Sequence, residues 1–558
     1  MKNLSLICLP LASLLMTPIS HAQVGGGFSE LGGRLTPLSL YDTAQRIANA
    51  GDLDGDGVQD VIVGDRHSSL SGLQGAGAVF VYSGATGNLI YQILGNRAQQ
   101  SFGSDVTGMG DVDGDGIDDF LVGVRAAKVN GQEFTGSVLL FSGATGTLIY
   151  RVDGPTSEVL FGEVVASGLD IDQDGIQDFM VSNGGVVYAA IYVYSGATGN
   201  LLLLIPPPGG HDGFGSTLAG IGDWNSDGVD DIAVGAPRAE NLYQEENAGA
   251  IVIYSGSDGA ILFRLDGPNG SGRLGTYLAN AGDLNQDGID DLLVGAPGIG
   301  TGYFSGTVYV YSGSDQSIIH QIDGESDFAA LGPVANVGDL DKDGIPDFVT
   351  GAPGTSAEGL ATNGSVLFFS GADATLLHRE NGKTRLGGFG STVTGIGDLD
   401  ANGFPDALVS SFPEDRWAAN HYEIFGFSPY LTSSSNTLSV SAGGTIQYQL
   451  SFPADAALLD YRILVSASGT GPTRFGVDIP LTVDSLARRT AQGIYPLGFT
   501  AGFSGTLNAN GDATATATVP AGALSTLIGT NLYFAAVANR PGRMPEFSSV
   551  AAVLEITP

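Results

Sequence analysis

Seven short acidic runs carry the chemistry that this chain can do. The first is Asp52-Leu53-Asp54-Gly55-Asp56-Gly57-Val58-Gln59-Asp60, with carboxylates at the first, third, fifth and ninth places and a glycine at the sixth. Side-chain oxygens at alternate positions, followed by a glycine that permits a sharp turn, curl onto one hard cation, and the ion implied is calcium. The pattern recurs at Asp111, Asp113, Asp115 and Asp119, at Asp170, Asp172, Asp174 and Asp178, and at Asp223, Asn225, Asp227 and Asp231. It recurs again at Asp283, Asn285, Asp287 and Asp291, at Asp339, Asp341, Asp343 and Asp347, and at Asp398, Asp400, Asn402 and Asp406. Where Asn replaces one Asp, a neutral oxygen and three carboxylates remain, a weaker site of the same kind.

Two like charges about 4 Å apart repel by roughly 1 kcal/mol even in water, so four carboxylates in one loop oppose folding until a cation joins them. With free calcium at about ten times its dissociation constant, each site adds about 1.4 kcal/mol. The expectation is up to seven structural calcium ions. An EF-hand loop opens in the same way but needs a bidentate Glu at the twelfth place and helices on both sides. Here the twelfth residues are Val63, Val122, Val181, Val234, Val294, Thr350 and Val409, in β-forming runs, which excludes it.

The elements that position these loops follow from their spacing. From first Asp to first Asp the steps are 59, 59, 53, 60, 56 and 59 residues, a regular repeat that decides the architecture. Between Ser101 and Gly154 one repeat reads as four short strands: FGSDVTGMG into the acidic loop, DDFLVGV out of it, then SVLLFSG and TLIYRVDG joined by a tight turn. The turn recurs at Ser83–Gly87, Ser142–Gly146, Ser195–Gly199, Ser255–Gly259, Ser312–Asp315 and Ser370–Asp373. Seven small antiparallel sheets that cannot bury their faces alone form a closed ring, so the fold class expected is all-β, a seven-bladed β-propeller over 34–428. Repeat seven lacks a fourth strand. The stretch Gly33 to Leu40 is expected to supply it and so remove an open edge. A Ser/Thr-rich linker at 429–437 then leads to a β-sandwich at 438–558, with strands at Thr445–Phe452, Tyr461–Ser466, Ala513–Val519, Asn531–Ala538 and Val550–Ile556 and no helix signal.

Composition bounds the function. The 558 residues carry a formal charge of -37, with 22 Lys plus Arg against 59 Asp plus Glu, and 86 glycines mark turn-rich β structure. The seven motifs hold 25 of those acidic residues at their first, third, fifth and ninth places. Seven calcium ions would still leave about -23, which argues against a nucleic-acid partner. Residues 1–22, with Lys2, an apolar run from Leu4 to Met16 and Ser20-His21-Ala22, read as a secretory signal cleaved after Ala22. The run is too short, and broken by Pro10, to span a membrane. The single cysteine, Cys8, lies inside it, so the mature chain has no disulfide and metal is the staple expected in its place.

Phe102-Gly103, Phe161-Gly162, Phe214-Gly215 and Phe389-Gly390 each stand nine residues before an acidic loop. Val234-Gly235-Ala236-Pro237, Val294-Gly295-Ala296-Pro297 and Thr350-Gly351-Ala352-Pro353 follow three of the loops. With these motifs the chain resembles FG-GAP repeat proteins, the group that includes the integrin alpha-chain propeller. The resemblance implies structural calcium held by side chains one, three, five and nine together with the seventh backbone carbonyl. Here the seventh residues are Val58, Ile117, Ile176, Val229, Ile289, Ile345 and Phe404. It also implies a propeller that binds protein or carbohydrate. Repeat one departs from the pattern with Thr43-Ala44, repeats five and six with Leu274-Gly275 and Leu331-Gly332. The chain has no inserted domain between blades and none of the long multi-sandwich parts of a full integrin chain.

No HExxH, GxSxG or Cys-His pair is present, and the histidines are scattered. Asn381-Gly382-Lys383-Thr384 imitates the end of a phosphate loop, but Leu377 stands where its first glycine is needed. The pair Asp118-Asp119 has glycosidase-like residue types; Asp119 is a ninth-position ligand, and Asp118 is expected to face solvent. The chain therefore reads as a non-catalytic, secreted or cell-surface adhesion or interaction module, expected to be a monomer with an extracellular protein or glycan ligand. The alternative is a calcium-stabilised lectin, with Phe134, Tyr243, Tyr303 and Trp417 as exposed aromatics of the variable loops.

Overall fold

The computed structural model describes residues 27–35, 46–155, 160–183, 190–208, 213–399 and 404–411 and most of 421–558, single residues and short stretches excepted. Residues 1–22, with Cys8, lie outside the described residues, as does Trp417. Among the described residues no helix is long and apolar enough to cross a membrane.

Seven four-stranded antiparallel sheets follow one another along the chain. Blade two shows the pattern, with strands Phe102–Gly110, Asp119–Val124, Ser137–Phe141 and Leu148–Asp153. The second strand is buried on both faces in every blade, which is why runs such as Phe120-Leu121-Val122 read as continuous rather than alternating hydrophobics. The outermost strand of the blade, by contrast, alternates between exposed and half-buried residues. Innermost strands of neighbouring blades lie side by side around the ring, and Val393–Gly397 of blade seven returns to Arg46–Gly51 of blade one. The sheets thus form a closed β-propeller.

The apolar core is divided into seams between blades. Ile62, Val79 and Val81 of blade one meet Phe102, Phe120 and Phe141 of blade two, and the last seam joins Ile396 and Leu408 of blade seven to Val61, Val63 and Phe80. Burying each such side chain stabilises by about 1.5–3 kcal/mol. Two glycines permit the close approach at five of the seams. A methyl group added to Gly351 of blade six would stand 1.9 Å from the Gly390 carbonyl of blade seven, and one added to Gly295 of blade five 2.0 Å from the Gly332 carbonyl of blade six. There the glycine of the Phe-Gly or Leu-Gly pair lies on the second-strand glycine of the blade before it, whereas between blades three and four Ser182 takes that place and donates to the Gly215 carbonyl at 2.6 Å. The aromatic residue of the pair enters the seam, as when Phe161 packs edge-on to Tyr194 with ring centroids 6.1 Å apart.

An N-terminal strand completes blade seven, but it is Gly27–Leu35 rather than 33–40. It pairs antiparallel with His421–Ser428, Gly27 opposite Ser428 and Leu35 opposite Tyr422. The register breaks between Glu30 and Arg34, where Gly32-Gly33 lie inside the strand as an irregularity rather than marking its start. Residues 36–40 of the expected strand lie outside the described residues.

The boundary that follows also differs from the expectation. Tyr430 and Leu431 belong to the buried core of the C-terminal part, and Leu431–Ser433 and Thr437–Ser439 are strands, so 429–437 is not a free linker despite its Ser/Thr-rich composition. One sheet contains Leu431–Ser433, Gly444–Ser451, Asp512–Val519 and Thr500–Ala501. The other contains Thr437–Ser439, Ala552–Thr557, Asn531–Asn539, Asp460–Ser466 and Ser504–Thr506. Tyr448 and Ala517 of the first share one core with Ile463, Phe534 and Ile556 of the second, the arrangement of a sandwich. A helix at Ser485–Ala491, capped by the Asp484 side chain on Ala487 N–H, was not expected from sequence. It packs on Asp460–Ser466.

Gly351→Ala tests the seam between blades six and seven. The added methyl should lower the unfolding free energy by about 1–3 kcal/mol or more, read as an earlier midpoint in thermal or urea unfolding. An unchanged midpoint would mean that the two blades do not meet there.

Candidate metal centres

Each acidic loop joins the innermost strand of its blade to the second, and its side chains organise its own backbone. In loop one Asp52 Oδ1 accepts from Gly55 N–H at 2.7 Å and Asp56 N–H at 3.1 Å, and Oδ2 accepts from Gly57 N–H at 2.8 Å. Asp56 Oδ1 accepts from Val58 N–H at 2.9 Å. Gly57 has φ of +86°, a left-handed conformation that glycine adopts freely. The same first-residue bonds recur on Asp111, Asp170, Asp223, Asp283 and Asp339.

The ninth residue differs in kind. Asp60 is buried; its Oδ2 accepts from Leu53 and Asp54 N–H at 2.7 and 3.2 Å, and its Oδ1 from Gly84 N–H at 2.9 Å. Gly84 belongs to the Ser-Gly turn of the same blade. Asp119 with Gly143, Asp178 with Gly196, Asp231 with Gly256, Asp291 with Gly313 and Asp347 with Gly371 repeat the tie at 2.9–3.1 Å. The two sequence motifs, acidic loop and Ser-Gly turn, are therefore one device. Burial raises the carboxyl pKa of Asp60, Asp178, Asp231 and Asp291 to about 6 against the opposing pull of these N–H bonds. Burial also raises Asp119, and, with the repulsion of neighbouring carboxylates, Asp341 and Asp347.

Oxygens about 2.4 Å from one calcium ion lie no more than about 4.8 Å from each other. Carboxylate oxygens of Asp52, Asp54 and Asp60 lie within 4.8 Å of one another. So do those of Asp111, Asp113 and Asp115, of Asp170, Asp172 and Asp178, and of Asp339, Asp341 and Asp347. The residues of loops one, two, three and six thus fit a hard divalent cation. Loops four and five, which carry Asn225 and Asn285, are arranged differently. Asp227 Oδ2 accepts from Ser257 Oγ at 2.7 Å and from the Asn225 amide at 3.0 Å, and Asp287 Oδ2 accepts from Ser314 Oγ at 2.6 Å. The serine hydroxyls lead in holding both carboxyls below the usual range. The signal for this was the turn sequence: Ser257 and Ser314 stand where Ala85, Ala144 and Ala197 stand in blades one to three. In loop seven Leu399 N–H donates to Asp406 Oδ2 at 2.7 Å, while Asp400 and Asn402 lie outside the described residues.

The seventh residues donate their N–H to the fifth carboxylate, as Ile117 does to Asp115 at 3.0 Å and Ile345 to Asp343 at 2.8 Å. Asp118 does not face open solvent. Its carboxylate accepts from Asp52 N–H of the neighbouring blade at 2.9 Å, a partner that reading one repeat at a time could not reveal.

A β-propeller whose blades each turn through a carboxylate-lined loop is what FG-GAP repeats build, and a family model described as FG-GAP repeat matches residues 45–82, 214–254, 276–311 and 332–369. The chain carries FG-GAP repeats, in a propeller like that of integrin alpha chains. It is 34% identical over 220 residues to integrin alpha-5 of Xenopus laevis, covering 36% of this chain and 20% of that protein. It is 30% identical over 219 residues to integrin alpha-V of Gallus gallus, covering 35% and 20%. The chain thus spans about a fifth of the length of these curated relatives. A solved structure titled "Structure of Dos1 propeller" overlaps 72% of this chain and 95% of its own, with a TM-score of 0.39 and 11% identity.

Two measurements separate the roles within a loop. Asp119→Ala leaves the buried N–H of Gly143 and the partly buried N–H groups of Val112 and Asp113 without this acceptor. At about 1–3 kcal/mol for each unsatisfied group, the loss should exceed about 3 kcal/mol in urea unfolding even in chelator. Asp113→Ala, at an exposed position, gives up one loop hydrogen bond and one like charge, which oppose each other, so it should lower stability chiefly when a divalent cation is present. Equal effects of the two in chelator would refute the division. The second measurement is pH. In cation-stripped protein burial raises the carboxyls of Asp60, Asp178, Asp231 and Asp291 to about 6, above the ordinary value near 3.9. Their contribution is full below about pH 4 and is lost as pH rises through about 6. The melting temperature of stripped protein should fall between pH 5 and pH 7.5; a rise over that interval would contradict it.

Proposed function

We propose that this chain is a calcium-stabilised, non-catalytic adhesion or interaction module of the extracellular space. The observation that carries the reading is the repeated cage: in loops one, two, three and six the carboxylates at places one and three, with that at place five or nine, are gathered to within the span of one calcium ion. In this reading calcium is held by side chains one, three, five and nine and by the seventh carbonyl of each loop. The integrin alpha relatives support a cell-surface setting, and the acidic charge of the chain supports protein or glycan partners over nucleic acid.

The cages occupy one face of the ring, with the Ser-Gly turns beside them. The opposite face is formed by the connections from second to third strand and from one blade to the next. Those connections differ among blades and expose Tyr243, Tyr303 and Phe328. A ligand docks there, while the cation face keeps the ring rigid. A carbohydrate is the second reading. Tyr303, Phe304 and Phe328 favour it, because they form an exposed aromatic cluster with Tyr303 ring centroids 5.0 and 5.5 Å from the other two, and such rings can stack on a sugar.

Calcium-loaded protein applied to a glycan array and to intact cells tests both readings. Binding to cells with a blank array supports a protein ligand. Saturable binding of one glycan class, weakened about tenfold or more by Tyr303→Ala, supports the lectin. Binding that survives both chelation and the loss of the cation-dependent stability would refute the role given to calcium.

A further inference from the structure

The acidic loops are joined to one another around the ring, and the joints are unequal. Between loops one and two the Asp118 carboxylate accepts from Asp52 N–H at 2.9 Å, and Asp118 N–H donates to the Asp52 carbonyl at 3.2 Å. The peptide that offers this N–H is the one whose carbonyl belongs to Ile117, the seventh residue of loop two. Between loops three and four, Asp170 N–H donates to Asp230 Oδ2 at 3.0 Å and the Gln173 side-chain amide donates to the Gly228 carbonyl at 2.5 Å.

The eighth residue makes a different joint elsewhere. Asp290 of loop five lies beside Gly222, but its carboxylate takes the Asn280 amide of its own blade at 2.8 Å. Pro346 and Pro405 of loops six and seven press on Gly282 and Gly338, and proline offers neither an N–H nor an acceptor side chain. Gln177 and Gln59 hold the remaining two eighth positions without a carboxylate.

We propose that Asp118 and Asp230 are positioning residues that couple cation binding in loop one to loop two and in loop three to loop four. The proposal rests on the reading that the loops hold calcium. A cation in loop two fixes the Ile117 carbonyl and the Asp119 carboxylate, and Asp118 stands between them. Fixing Asp118 fixes the amide and carbonyl of Asp52, the residue that opens loop one. The second cation then meets a loop whose first ligand is already ordered, so less conformational entropy opposes it. Linkage makes the effect reciprocal. In the other pair, Asp230 and Gln173 both hold loop three to loop four, and the same ordering applies.

Loop four carries its own reporter. Trp224 is its second residue, buried and stacked on Phe263. Terbium, a hard ion that takes calcium's oxygen ligands, luminesces when a neighbouring indole is excited. Terbium is titrated into cation-stripped full-length protein carrying Trp417→Phe, and Asp287→Ala to disable loop five, whose turn at Gly313 the Trp224 indole also adjoins, so that the signal reports loop four. Asp172→Ala, which removes an exposed carboxylate from loop three, should weaken terbium binding at loop four by about fivefold or more. Asp172→Asn, which keeps the side-chain volume, should act in the same direction. With Asp230→Ala and Gln173→Ala both present, which removes both hydrogen bonds between the two loops, Asp172→Ala should cause no further shift. A loop-four curve unmoved by either Asp172 variant overturns the coupling. A shift that persists in the Asp230→Ala, Gln173→Ala background is charge acting through space and overturns the role of the joint. Absence of all indole-sensitised luminescence instead overturns the calcium reading, and the coupling with it.

Discussion

A carboxylate shut away from water holds the two turns of each of the first six blades together. The ninth Asp of the acidic loop bonds the second and third amides of its own loop through one oxygen and the glycine of the Ser-Gly turn through the other. Burying an anion costs several kcal/mol, and leaving it unpaired would cost more. Three amide donors offset part of this, and the raised pKa of these carboxyls measures what remains. A divalent cation facing the same carboxylate would offset the rest. The blade is thus built around a charge that wants a counter-ion, and the exposed carboxylates at places one, three and five have a fixed point from which to reach that ion.

This arrangement divides the ring into two faces with different duties. On one face the backbone is dictated by repeated side-chain hydrogen bonds, which leaves little room for variation. On the other, connections of differing length leave the blades, and large aromatic side chains stand in solvent with no core to reward them. Between the faces, paired glycines let neighbouring backbones meet, and the aromatic residue of each Phe-Gly pair fills the seam. Rigidity on one face and variety on the other is the division that a binding scaffold requires.

The repeat, the strand order within a blade and the carboxylate cages were legible because each is local: alternate Asp, a sixth glycine and a continuous apolar run all lie within a dozen residues. What the sequence concealed was every pairing between distant segments. The closing strand was placed too late because Gly32-Gly33 resembles a boundary when it is an irregularity inside a strand. Tyr430 and Leu431 were hidden in a Ser/Thr-rich stretch whose composition outweighed two buried side chains. The helix at Ser485–Ala491 is two turns long and depends on one capping aspartate and on packing against a strand, so no periodicity announced it. Asp118 looked like a spare acid because its partner lies a full repeat away.

The pairing of Gly27 with Ser428 has a mechanical consequence. Whatever precedes residue 27 and the whole sandwich that begins at Leu431 leave the ring from the same point on its rim. Anything that tugs on either end therefore loads one junction in blade seven, and the seams on its two sides pass that load to blades six and one.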